Sequence, residues 1–152
     1  MPSYRLDHVD MRILDKLRSN ARFTFSDLSK ELDIPASTLR YRIRKLEDNK
    51  VILGYYPLID GINLGFKVSM ILIIDSVPKY IESVVREILQ FPSVIRIYGV
   101  DTGPRLYVHA LFREEEEAYA FISERLYKIE GITSVEMSKV IKRYKTDPSF
   151  SL

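Results

Sequence analysis

The spacing of apolar residues changes near residue 50, and that change limits the chain more than any other feature. Before it, every cue is helical. Asp7 precedes Val9, Ile13, Leu14 and Leu17, which predicts a capped helix ending near Ser19 and Asn20. Thr24-Phe25-Ser26-Asp27 has the spacing of a capping box, with Asp where Glu is usual, and opens a second helix that buries Leu28 and Leu32. Asp33-Ile34-Pro35 interrupts it. Proline lacks an amide hydrogen and suits a first helical turn, so Pro35 starts a third helix. The apolar stripe of that helix is Leu39, Ile43 and Leu46. Ser37, Thr38, Arg40, Tyr41 and Arg44 therefore project wholly or partly away from the core.

After Val51 the period shortens. Val51 to Tyr56, followed by Pro57, reads as extended, and glycines at 54, 61 and 65 read as turn or hinge material. Phe66 to Asp75 alternates and then becomes apolar on both faces, as in a strand covered on both sides. Pro78 opens a helix with Ile81, Val84, Val85, Ile88 and Leu89 on one face. Val94 to Val100 and Leu106 to Phe112 are strands joined through Asp101-Thr102-Gly103-Pro104. A helix after Glu114 buries Ala118, Phe121, Ile122 and Leu126, with Gly131 as its end signal. A last strand runs from about Ile132 to Tyr144.

The order βαββαβ, with right-handed crossovers, places both helices on one face of a four-stranded antiparallel sheet, a ferredoxin-like arrangement. The expected class is α+β. The domain map is a helical unit over 1–50, a hinge over 51–65, a βαββαβ unit over 66–145 and a tail over 146–152. The uncovered sheet face bears apolar side chains, which predicts packing against a second copy.

Charge shows which unit meets a polyanion. The whole chain is only +2, but residues 1–50 hold 11 basic and 8 acidic side chains, and 51–152 hold 12 and 13. Pro35 to Lys45 carries Arg40, Arg42, Arg44 and Lys45 with no carboxylate. A helix of this kind fits a DNA major groove, where some arginines read bases and others hold phosphates. There is no cysteine, so thiolate catalysis, disulfides and Cys-containing zinc sites are excluded. The two histidines, His8 and His109, are far apart and neither has a triad around it. Glu114 to Glu117 suits the positive end of a helix dipole. No Walker-type or dinucleotide glycine loop occurs. No catalytic residue, metal or cofactor is expected. The longest aliphatic run, Met70 to Ile74, is far short of the roughly 20 residues that cross a bilayer, and no signal-peptide core stands at the amino terminus. A cytoplasmic, non-membrane protein is expected.

The order of several short motifs resembles the Lrp/AsnC (feast/famine) family of transcriptional regulators over nearly the full length. They are Leu6-Asp7 with Asp10 and Ile13-Leu14; Asn20-Ala21-Arg22; Leu28-Ser29 and Leu32; Ser37-Thr38-Leu39, Arg42-Ile43 and Leu46-Glu47; Val51-Ile52 and Gly54-Tyr55. The resemblance implies an N-terminal winged helix-turn-helix domain whose third helix, about Ala36 to Asp48, binds double-stranded DNA. It implies a C-terminal domain that forms homodimers, tetramers or octamers and takes a small effector, commonly an amino acid. Carried onto this chain, Ser37, Thr38, Arg40 and Tyr41 face bases or nearby phosphates, and Arg42, Arg44, Lys45 and Lys50 hold phosphates. Which arginine reads a base is left open by the sequence. Pro35 replaces the family's usual capping Ser, and Asn49-Lys50 stands where a glycine commonly turns the chain.

The family's Gly-x-x-Asp motif is altered here to Gly99-Val100-Asp101-Thr102, followed by Gly103. Asp101 is expected to hold an effector ammonium, and amides near Gly99 or Gly103 its carboxylate; a hairpin chosen for turn geometry accounts for the same residues. Siroheme decarboxylases resemble both domains and supply the rival reading, with His109, Arg105 and Tyr107 as the local cluster, although their His-Asn-Tyr segment is missing. A sensor or assembly module without DNA binding is the second rival.

Overall fold

In the computed structural model, which describes residues 4–144, side-chain caps start the first two helices and a proline starts the third. Helix α1 spans His8–Ser19. The Asp7 carboxylate accepts from the Val9 and Asp10 amides at 2.8 and 2.9 Å, and the Asp10 carboxylate accepts from the Asp7 amide at 3.2 Å. The reciprocal capping box thus forms at Asp7 and Asp10. Helix α2 spans Phe25–Leu32, with the Thr24 hydroxyl accepting from the Asp27 amide at 3.1 Å and donating to the Asp27 carboxylate at 2.7 Å. It ends at Asp33 in the left-handed region, φ 54°, and Arg12 of α1 donates to the Leu32 carbonyl at 2.9 Å. Helix α3 spans Ala36–Asp48, with Pro35 at its N-cap and no side-chain cap.

Ile13, Leu28, Leu32, Leu39, Ile43 and Leu46 form the buried centre of this unit, so the stripe read on the third helix is its core face. Leu14, Leu17, Phe23, Phe25 and Val51 pack around it. The chain divides into two compact units between Leu58 and Ile59. The extended hinge expected over 51–65 forms no strand, so the wing implied by the resemblance is an unpaired segment rather than a hydrogen-bonded hairpin. Its Leu53, Tyr56 and Leu58 side chains are largely exposed.

In the second unit, β1 (Val68–Ser76), β2 (Val94–Gly99), β3 (Arg105–Phe112) and β4 (Ile132–Lys139) form one antiparallel sheet in the order β2-β3-β1-β4. Helix α4 (Ile81–Ile88) follows a 3-10 turn at Pro78–Tyr80. Helix α5 (Glu115–Ala120) continues through a π-helical turn at Phe121–Arg125 into a 3-10 turn at Leu126–Lys128. Val84, Ile88, Ala118, Phe121, Ile122 and Leu126 cover the sheet face made by Met70, Leu72, Ile74, Val108 and Ala110. Both helices lie on one face, the ferredoxin-like arrangement.

Two expectations are corrected. Leu89, expected on the buried stripe of α4, is the C-cap residue and 61% exposed, because it stands about 100° around the helix from buried Ile88, at the edge of that stripe. The last strand stops at Lys139 rather than Tyr144: its ladder with β1 ends at Met70 opposite Lys139, and beyond it Val140 makes one bond to Ser69 before the chain leaves the sheet. The expected tail, 146–152, lies outside the described residues, as does Lys145 at the end of the second unit.

The uncovered sheet face follows from the register. Ile71 pairs with His109 and Ile73 with Tyr107. Asp75 takes a bidentate pair from Arg105 at 2.6 and 2.9 Å, with Ser134 donating at 2.9 Å.

Candidate nucleic-acid interface

The third helix turns about 100° per residue. Measured from buried Leu39, Ser37, Tyr41, Arg44 and Asp48 point most directly away from the core, and Thr38 and Lys45 flank them on one side. Ser37, Thr38, Arg40, Tyr41, Arg44 and Lys45 are all exposed, Tyr41 at 59%. Lys45 lies over the Tyr41 ring, its ammonium 5.0 Å from the ring centre, and contact with the Tyr41 side chain raises its pKa above the ordinary value. The lysine is therefore charged throughout the neutral range. Neither Arg40 nor Arg44 is in an ion pair among the described residues. Arg40 sits to the α2 side, stacked 4.6 Å from the centre of the Phe25 ring.

Arg42 is placed differently from its neighbours. One guanidinium nitrogen donates to Asp7 at 2.7 Å and to Asp10 at 2.8 Å. Asp10 is 1% exposed, and the Tyr4 hydroxyl also donates to it at 3.0 Å. Donation from the Asp10 amide, then from Arg42, lowers the Asp7 pKa; the two carboxylates raise that of Arg42. Two carboxylates around one guanidinium leave a local charge that repels phosphate. The side chain expected to clamp phosphate thus ties α3 to the N-cap and first turn of α1. Sequence reading missed Asp7 and Asp10 as its partners, and Tyr4 as a further donor to Asp10; the available signal was that Arg42 stands beside the buried stripe, between Leu39 and Leu46.

Lys50 is exposed and left-handed, φ 58°, just past the helix. The turn commonly made with glycine in the resembling family is made here with an exposed lysine. Tyr55 donates to Glu47 at 2.8 Å, and burial, followed by that carboxylate, pushes the phenol up to about 12. The exposed side of α3 thus carries Arg40, Arg44 and Lys45 with Ser37, Thr38 and Tyr41, while Arg42 is paired with α1 and Lys50 is exposed just past the helix end.

In the second unit, Gly99 ends β2, and Asp101, Thr102 and Gly103 form an exposed turn with Gly103 at φ 124°. That turn is fixed by Arg105 donating its amide to Gly103 at 2.8 Å and Ser76 to Pro104 at 2.9 Å. Arg105, Tyr107 and His109, the cluster of the enzymatic rival, share the open face. Arg105 is held by Asp75, and His109 pairs with Ser69 at 2.7 Å. Among the described residues no group of three potential ligands gathers around a metal position, and no helix is long and apolar enough to cross a membrane.

Residues 6–47 match an AsnC-type helix-turn-helix domain, and residues 69–150 match an Lrp/AsnC ligand binding domain. An HTH-type transcriptional regulator of Pyrococcus horikoshii is 31% identical over 134 residues, covering 88% of this chain and 84% of that one. The HTH-type transcriptional regulator Ptr1 of Methanocaldococcus jannaschii is 26% identical over 140 residues, covering 92% and 95%. The solved structure of a transcriptional regulator from Neisseria meningitidis in complex with L-Met shares the fold, with TM-score 0.91, 21% identity and 97% of each chain covered.

Proposed function

Since the chain belongs to the Lrp/AsnC family of DNA-binding transcriptional regulators, we propose that it grips duplex DNA with the exposed face of α3, as a dimer or a larger even assembly. The observation that carries the reading is the solvent-facing set Ser37, Thr38, Tyr41, Arg44 and Lys45 on a helix whose opposite stripe is buried. Ser37, Thr38 and Tyr41, in the first half of the helix, meet base edges, because recognition helices present their N-terminal residues to the groove floor. Arg44, Lys45 and Lys50 hold phosphates, and Arg40 reaches the backbone or a base from the α2 side. Arg42 acts one step back, by fixing the angle of the helix.

A second copy covers the open sheet face around Ile71, Ile73 and Tyr107. Twofold symmetry then sets two recognition helices about 34 to 36 Å apart, on successive major grooves. The second unit takes a small effector at the turn containing Gly99, Asp101, Thr102 and Gly103. The Neisseria relative's complex with L-Met supports an amino acid as its class. The carboxylate of Asp101 faces the ammonium. The protein works in the cytoplasm, beside the DNA it regulates, and regulation rather than catalysis is its activity.

Selection of bound duplexes from a random pool tests the reading. Two half-sites in roughly palindromic order, about one helical turn apart, are expected. Failure to enrich any sequence would overturn it.

A further inference from the structure

A groove of about 460 Å³ opens in the first unit beside α3. Its floor is apolar: Leu28 and Ile43 lie at the bottom, with partly exposed Phe23 and Phe25 along the side. Arg40 and Arg44 line the same groove. They stand one helical turn apart, and neither is in an ion pair among the described residues. Stacking on Phe25 restrains the Arg40 guanidinium while leaving its N–H fork available, so less freedom is lost when it meets a planar anion. The one carboxylate in the lining, Glu47, already accepts the Tyr55 hydroxyl at 2.8 Å.

We propose that this groove binds a small carboxylate with an aromatic or branched apolar body, and that the bound molecule competes with DNA. The carboxylate meets Arg40 and Arg44, and the apolar body covers the exposed parts of Phe23 and Phe25. Two guanidiniums against one engaged carboxylate disfavour an added ammonium, so a 2-oxo acid or aryl acid fits and the matching α-amino acid does not. That separates this ligand from an amino-acid effector of the second unit. Competition follows because Arg44 belongs to both the groove and the outward face of α3; this half rests on the DNA-binding reading above.

The full chain is titrated calorimetrically with 3-phenylpropionate and with L-phenylalanine, which differ by one ammonium group, up to about 10 mM. Ala21, an exposed turn residue in the lining, is replaced to fill the groove, Ala21→Phe and, more gently, Ala21→Leu; thermal unfolding checks that both fold. The expected result is binding of 3-phenylpropionate that is at least about tenfold tighter than any L-phenylalanine binding that Ala21→Phe abolishes. At ten times its dissociation constant the acid should weaken binding to a selected duplex about tenfold in the wild type and not in Ala21→Phe. No binding of the acid, or binding indifferent to both substitutions, overturns the site. Binding that leaves duplex affinity unchanged overturns the competition. If the protein without ligand binds no duplex, it is the DNA-binding reading that fails, while the calorimetry still decides the site.

Discussion

Arg42 stands three residues after Leu39 and four before Leu46, so its stem runs along the edge of the core and its charge must be met there. With 25% of its side chain exposed and Asp10 1% exposed, removing the guanidinium leaves a buried carboxylate without its counter-charge, held only by the Tyr4 hydroxyl and the Asp7 amide. Arg42→Ala is therefore expected to cost about 3 kcal/mol of unfolding free energy, measured by urea denaturation, whereas Arg44→Ala should cost less than about 0.5 kcal/mol. Equal losses in the two variants would contradict the division between the helix anchor and the DNA face. Lys50 poses the opposite problem. A side chain in the left-handed region costs about 1–2 kcal/mol, and glycine returns part of that gain as unfolded-state entropy. Lys50→Gly should raise stability by about 0.5–1 kcal/mol and weaken duplex binding, since a phosphate contact goes with the ammonium. A stabilised variant with unchanged duplex affinity would remove Lys50 from the interface.

Among the elements, the helices were the most legible, because their signals are local. Asp7 and Thr24 cap amides within a few residues, Pro35 fixes the backbone where α3 starts, and the stripe of α3 repeats at the spacing that buries it. Signals that depend on distant partners were not legible. The ion pair of Arg42 spans more than thirty residues, the end of β4 is set by its ladder with the distant β1, and the π-helical turn after α5 has no sequence mark. The exposed set on α3 was legible as a face, but the withdrawal of Arg42 from it was not. Strand pairing also places His109 of β3 beside Ser69 of β1, another pair that the sequence spacing hides. Burial, then Arg143 and Arg96, lower the His109 pKa below its ordinary 6.5. The unfolded chain therefore takes up a proton first as pH falls. The stability held by neutral His109 is fully present above pH 6.5 and is lost as pH falls through the lowered native value. Urea midpoints measured from pH 8 to 5 should fall in the wild type, and His109→Gln should flatten that fall. An identical pH dependence in both would remove His109 as its source.

At the scale of the whole molecule, the open sheet face and the basic helix make demands that one copy cannot meet. Ile73 and Tyr107 lie opposite each other near the middle of that face. Ile73→Glu should shift sedimentation from at least twice the 17.8 kDa chain mass toward the single chain, and should weaken binding to a palindromic duplex at least tenfold. A fully dimeric variant would put the interface elsewhere. The central claim is that the outward side of α3 lies against DNA. Its most direct test is the affinity for a selected duplex across a salt series. Arg44→Ala should bind more weakly, with the slope of log K against log salt reduced by about 0.9, and Tyr41→Ala should lose affinity for the selected duplex with its slope unchanged. Both variants keeping the affinity and the slope of the wild type would contradict the claim.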